Sequence, residues 1–154
     1  MYKHTIGGVI MDLQPTICNL CGGKVEYIPN SKIYGKSYGS GWCYHCTKCD
    51  AFVGTHKPRP KEALGILADE EMKKWKKWCH NQFDILWKGG IICECTDKGF
   101  KKTTVKPKLK RQKAYYELSK LMNIELKNCH FGYFDIKQLK CAYACVKKLR
   151  EKYL

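Results

Sequence analysis

The sequence predicts an α+β protein, with short antiparallel strands in its first third and a three-helix portion after them. Three observations carry this expectation. Two Cys-x-x-Cys pairs, Cys18/Cys21 and Cys46/Cys49, bracket a stretch that shows no helical period. A Gly/Ser-rich run at residues 34–41 cuts that stretch into short pieces, as turns do. From Asp69 onward, apolar residues recur at three- and four-residue steps, the period of a helix with one buried face.

Taken in chain order, strand segments are expected at 15–17, 24–28 and 44–53. The first helix carries Met72, Trp75, Cys79, Phe83 and Leu86 on one stripe. Asp69 stands where an N-cap belongs, Glu70 and Glu71 suit the positive end of the helix dipole, and Gly89-Gly90 ends the helix near Lys88. Ala114, Tyr115, Leu118, Leu121 and Met122 mark a second, shorter helix that stops by Asn123. Ile136, Leu139, Tyr143, Val146, Leu149 and Tyr153 mark a third, with Asp135 and Gln138 as a capping-box variant. The expected domains are therefore a cysteine-bearing strand module at 15–57 and a helical region at 61–154. A loop carrying Cys93 and Cys95 is expected to interrupt the helical region, and the basic segment 101–113 is expected as a linker running into the second helix.

Composition narrows the function. The chain has 154 residues, enough for one compact domain or a small metal module joined to a helical one. Twenty-nine Lys and Arg against 14 Asp and Glu leave a formal charge of +15, which makes a polyanion such as nucleic acid the first partner to consider and an acidic protein surface the second. Four Trp, ten Tyr and five Phe supply apolar area for a core, which excludes a disordered basic tail. The charge is concentrated: residues 101–113 hold seven cations and no acid, whereas 61–100 are neutral overall. Residues 6–11 are too short and too broken by Gly7 and Gly8 for a secretory signal, and no run of 18 apolar residues occurs to cross a membrane. A cytoplasmic location follows as the expectation, with its eleven Cys reduced.

In a reducing compartment, clustered cysteines point to zinc. Two thiolates three positions apart lie on one side of a tight turn, and Gly22-Gly23 permit the backbone such a turn needs. Cys46-x-x-Cys49 repeats the spacing after a 24-residue gap, long enough for a hairpin to bring the pairs into one tetrahedral site. One structural Zn²⁺ held by Cys18, Cys21, Cys46 and Cys49 is therefore expected, with Cys43 as an alternative to Cys46 and His45 as a weaker one. Cys93, Cys95, Cys129, His130, Cys141 and Cys145 are spaced too irregularly for a second site to be expected.

Several of these stretches together resemble a known family. They are the run from Cys18 through Gly22, Gly23, Lys24, Val25 and Glu26, then Ile33 to Gly39, then Cys46 to His56. The likeness continues in Leu64 to Asp69, in Phe83 to Trp87 and in Cys129 to Asp135. The chain thus resembles a zinc-finger-containing domain family of unknown function carried by bacteriophages and prophages, whose N-terminal half is similar to the C-terminal zinc ribbons of bacterial type IA topoisomerases. The resemblance implies a zinc-bound ribbon joined to a helical part, in a bacterial host cell, and implies no activity.

For function, the sequence favours a binding surface. Tyr34, Tyr38, Trp42, Tyr44 and Phe52 interleave with Lys32, Lys36 and Lys48, as in surfaces that stack unpaired bases and contact phosphates. Lys101, Lys102, Lys106, Lys108, Lys110, Arg111 and Lys113 add an electrostatic segment. The expectation is a non-catalytic nucleic-acid-binding protein, with single strands favoured. One alternative is a protein-binding inhibitor that occupies the nucleic-acid channel of a host or defence enzyme. Another is a metal-dependent nuclease built from His56, His80, His130, Asp84 and Asp135, although each of these has a sufficient structural role and no catalytic residue is assigned.

Overall fold

The structure is a computed structural model that describes residues 3–6 and 9–154, with side chains from Asp12 onward. Gly7 and Gly8, which interrupt the apolar run 6–11, lie outside the described residues. The fold is α+β, with antiparallel strands in the N-terminal part and three long helices in the C-terminal part. Two compact units are present. One comprises Met1–Lys74 with His130–Ile136, the other Trp75–Cys129 with Lys137–Leu154.

The first unit opens with an antiparallel hairpin of β1 (Lys3–Ile6) and β2 (Val9–Asp12), which the sequence reading did not anticipate. Its main sheet has the order β3-β4-β5, formed by Val25–Pro29, Trp42–Cys46 and Phe52–Gly54. Both pairings are antiparallel, with Val25 opposite Cys46 and His45 opposite Phe52. Strand alternation turns Tyr44 and Cys46 toward a small core with Cys18, Val25, Ala51, Ala63 and Leu67. That core is thin, and tyrosine hydroxyls supplement it by anchoring the next segment: Tyr44 donates to Lys61 O (2.6 Å) and Tyr27 to Pro60 O (2.7 Å). Between β3 and β4 a single helical turn, α1 (Ser31–Tyr34), ends at Gly35 with φ +76°. Four residues are too few to show a period, so this turn is invisible to a pattern search.

Segment 130–136 joins this unit with Phe131 and Phe134 buried and in ring contact at 5.6 Å. Ile66 N–H donates to Gly132 O at 3.0 Å.

The second unit is built mainly from three helices. The helix α2 (Glu70–Lys88) begins where expected, with Asp69 Oδ1 accepting from Met72 N–H at 2.8 Å; its first turn belongs to the first unit. Met72, Cys79, Phe83 and Leu86 are buried along its stripe. The helix α3 (Arg111–Met122) closes on Asn123 in the left-handed region, and α4 (Ile136–Tyr153) buries Leu139, Ala142, Cys145, Val146 and Leu149. A short 3₁₀ turn occurs at Leu126–Asn128, and another, Phe131–Tyr133, lies in the segment that belongs to the first unit.

Two expectations are corrected here. Residues 89–102 are not a loop but most of a β-hairpin, β6 (Gly90–Thr96) paired with β7 (Gly99–Val105). The basic segment 101–113 is not a linker throughout: 101–105 lie in β7 and 111–113 open α3, leaving only 106–110 as connection. The β-branched pair Thr103 and Thr104 stands opposite Ile92 and Ile91 across the hairpin, and Asp97-Lys98 make the two-residue turn beside Gly99 at φ +109°. The lysines masked this β-propensity.

Candidate metal centre

The first Cys pair is set by a tight turn: Cys18 N–H donates to Gly23 O (2.8 Å) and Gly22 N–H to Cys18 O (2.9 Å). Gly22 sits at φ +72°, so the first glycine supplies conformation. Gly23 supplies space instead. A Cβ there would meet Lys48 Cβ at 2.7 Å and Cys46 Sγ at 3.0 Å. The second pair lies on the turn between β4 and β5, where Asp50 takes the same backbone position as Gly22, at φ +60°, with His45 Nε2 3.2 Å from its carboxylate.

The hairpin brings the two turns face to face. Cys18 Sγ is 3.6 Å from Cys49 Sγ, Cys21 Sγ is 3.5 Å from Cys46 Sγ, and all four sulfurs lie within 4.8 Å of one another. A tetrahedral zinc with Zn–S bonds of about 2.3 Å requires sulfur separations of about 3.8 Å, so the donor set fits this metal. Backbone amides point at the sulfurs as well. Leu20 N–H approaches Cys18 Sγ (3.4 Å), Gly23 N–H approaches Cys21 Sγ (3.3 Å), and Lys48 and Cys49 N–H approach Cys46 Sγ (3.4 and 3.5 Å). The Cys49 amide first, then the Lys48 amide and the neighbouring thiols, pull the Cys46 thiol down to about 6, toward the thiolate that zinc requires, whereas Cys49, facing the other three sulfurs, is pushed up. Asn19 ties this turn to the next segment, its side-chain amide exchanging two hydrogen bonds with the Leu67 backbone (3.0 and 2.9 Å). Zinc here would crosslink two turns whose own core is only a few side chains deep, a structural role.

Cys43 is not part of this group. It lies three residues from Cys46 in the same strand, so strand alternation sends it to the opposite face, where burial pushes its thiol up. His45 is occupied with Asp50. Among the described residues, no second group of three or more His, Cys, Asp or Glu donors converges. His56, His130 and Asp135 lie in the first unit, and His80 and Asp84 in the second. His80 Nδ1 stands 4.0 Å from Asp84, and burial, aided by Lys88, Lys76 and Arg111, holds its pKa low.

Antiparallel strands presenting two Cys-x-x-Cys turns to a common centre define a zinc-binding protein with one structural Cys₄ site. The chain belongs to the zinc-finger-containing domain family, whose model matches residues 14–149. Comparison with curated proteins and with solved structures gave no match. No helix among the described residues is long and apolar enough to cross a membrane.

The residues expected to touch nucleic acid separate into groups. Of the five ribbon aromatics, Tyr44 is in the core and Phe52 lies under Lys73, whose Nζ is 3.2 Å from the ring centroid. Tyr34, Tyr38 and Trp42 stay exposed and line a shallow cavity of about 170 Å³ together with Phe52 and Asn30. Asn30 holds this edge by bonding both the N–H and C=O of Tyr38, and Lys36 Nζ sits 5.1 Å over the Tyr38 ring. Lys32 is exposed on α1, and Lys48 is exposed on the second metal turn. In the basic segment, Lys101 and Lys102 point to opposite faces of β7, while Lys106, Lys108 and Lys110 are exposed. Arg111 lies over the Trp87 and Tyr115 rings (5.5 and 4.8 Å), and Lys113 pairs with Glu117 at 3.0 Å. The seven cations therefore do not form one track.

Proposed function

We propose that this protein is a zinc-stabilised, non-catalytic nucleic-acid-binding protein that favours single strands, working in the phage or mobile-element setting that the sequence resemblance implies. The observation that carries the reading is the exposed trio Tyr34, Tyr38 and Trp42 around its shallow cavity, with Lys36 at the edge. Trp42 stacks on Tyr27 at 4.7 Å and 10°, and Tyr34 meets both Tyr38 (5.3 Å) and Phe52 (5.7 Å) edge-on, so the rings are held in place before a ligand arrives. Rigid, partly exposed rings beside lysines suit unpaired bases, whose faces a duplex hides. The net charge of +15 supplies long-range attraction to any polyanion.

The test is fluorescence anisotropy with a labelled 12-nucleotide single strand and its duplex, titrated across salt concentrations. Single strands should bind tighter than duplex, and log affinity should fall linearly with log salt. Tyr38→Ala and Trp42→Ala should each weaken single-strand binding by about 1–3 kcal/mol, the range for loss of a base stack. Absence of binding at low salt would end this reading.

A further inference from the structure

The second unit holds a groove that the ribbon surface does not explain. Residues of β6 and β7 alternate between two faces, and the face carrying Ile92, Glu94, Lys101, Thr103 and Val105 borders a cavity of about 580 Å³ whose other wall is α4 with Gln82 of α2. That volume is in the range of pockets that enclose a small molecule or one nucleotide. Ile92, Val105, Tyr143 and Val146 give an apolar lining, while Lys101, Lys147 and Arg150 supply positive charge.

Tyr143 connects the groove to an aromatic series on the same unit. It stacks against Trp78 at 5.7 Å and 28° and meets Trp75 edge-on at 5.4 Å. Trp78 is 55% exposed, so part of its ring is open to a stacking partner. Lys140 Nζ lies 5.8 Å from the Trp75 ring centroid, adding a cation to this side. A stacking ladder that leads into a pocket with three cations matches what a single strand offers, alternating planar bases and phosphates. The two carboxylates also discriminate. Glu94 stands opposite Lys101 in the hairpin register and Glu151 one helical turn from Lys147, so the groove is not a uniform cationic track for a duplex backbone. Glu94, Glu151, Gln82 and Thr103 add side chains of the kinds able to hydrogen-bond a base edge.

We propose that this groove takes one nucleotide of a single strand, with its base against Tyr143 and its phosphate at Lys101, Lys147 and Arg150. The proposal rests on the nucleic-acid reading above and adds a second contact on the other unit. The test uses the full-length zinc-loaded chain and labelled dT12 and U12 at low salt. The paired change Lys147→Glu/Arg150→Glu should weaken binding at least tenfold, and Thr103→Trp, which fills the groove without altering charge, should also weaken it. Either loss should multiply with that of Tyr38→Ala. Photocrosslinking of the unaltered protein to a 5-iodouracil oligonucleotide needs no variant to fold, and adducts should map to Tyr143 or Trp78. Wild-type binding that groove variants retain within twofold, with adducts confined to Tyr38 and Trp42, would overturn the groove and leave the ribbon reading standing. No wild-type binding to either oligonucleotide would overturn both.

Discussion

Gly65 and Gly132 cross with their backbones in contact. Ile66 N–H donates to Gly132 O at 3.0 Å, a Cβ on Gly132 would lie 2.5 Å from Leu64 O, and a Cβ on Gly65 would overlap the Gly132 carbonyl. Two stretches 67 positions apart are joined here, and the crossing gives segment 130–136 its place in the first unit. The obstructing atoms are backbone and cannot rotate away. Gly65→Ala is therefore expected to cost more than the usual 1–3 kcal/mol of overpacking, and Gly132→Ala a comparable amount. Thermal and denaturant unfolding measure this; a loss under about 1 kcal/mol for both would show that the crossing relaxes easily.

The cysteine set gives a second prediction. Wild-type protein should carry one zinc per chain, and Cys46→Ser and Cys18→Ser should carry none and lose the ribbon's structure, because the metal's binding free energy supports a very small core. Cys43→Ala should keep its zinc and lose only packing, about 1–2 kcal/mol for a small buried side chain. Elemental analysis of the purified variants decides. Zinc lost from Cys43→Ala and kept in Cys46→Ser would reverse the strand-parity assignment.

The two glycines of the first metal turn differ in kind, so their alanine variants should differ too. Gly22→Ala forces an ordinary residue to φ +72° but meets no atom within 4 Å, a cost of about 1–2 kcal/mol. Gly23→Ala drives a methyl against Lys48 Cβ and Cys46 Sγ and should displace a ligand. Zinc transfer to a chromogenic chelator should be faster for Gly23→Ala than for Gly22→Ala, and the reverse order would refute the assignment of space to one and conformation to the other.

These positions show where the sequence was legible. Ligands three apart in a turn are local, so the repeated spacing is enough to favour Cys18, Cys21, Cys46 and Cys49; closing the Cys43 alternative takes strand alternation, hence a register. The helices carried a 3.6-residue stripe from Met72 to Leu86 and from Leu139 to Leu149. The hairpin of β6 and β7 was hidden because its second strand begins Gly-Phe-Lys-Lys, where charge outweighed the alternation that Ile92, Glu94, Lys101 and Thr103 impose. The groove was hidden with it. The crossing at Gly65 and Gly132 depends on a pairing distant in sequence, which no local pattern encodes.

The remaining cysteines of the second unit yield a pH prediction. Burial pushes Cys79 up to about 11 and, with Cys145 nearby, Cys129 up to about 12. Cys145 rises to about 11 through burial and its neighbour Cys141. In the unfolded chain these thiols ionise near 8.5. Below that pH both states hold the protons and stability is unaffected. Above it the unfolded chain releases protons that the native state retains, so stability falls with rising pH, by at most about 1.4 kcal/mol per pH unit per thiol, until the native thiols ionise at about 11 to 12. Denaturant unfolding of zinc-loaded protein should therefore show declining stability from about pH 9, and Cys129→Ala should flatten the decline. Cys93, Cys95 and Cys141 are exposed and should be alkylated by iodoacetamide in the native protein, whereas Cys79, Cys129 and Cys145 should react only on unfolding. Alkylation of Cys79 at the rate of Cys93 in folded protein would contradict its place in the core.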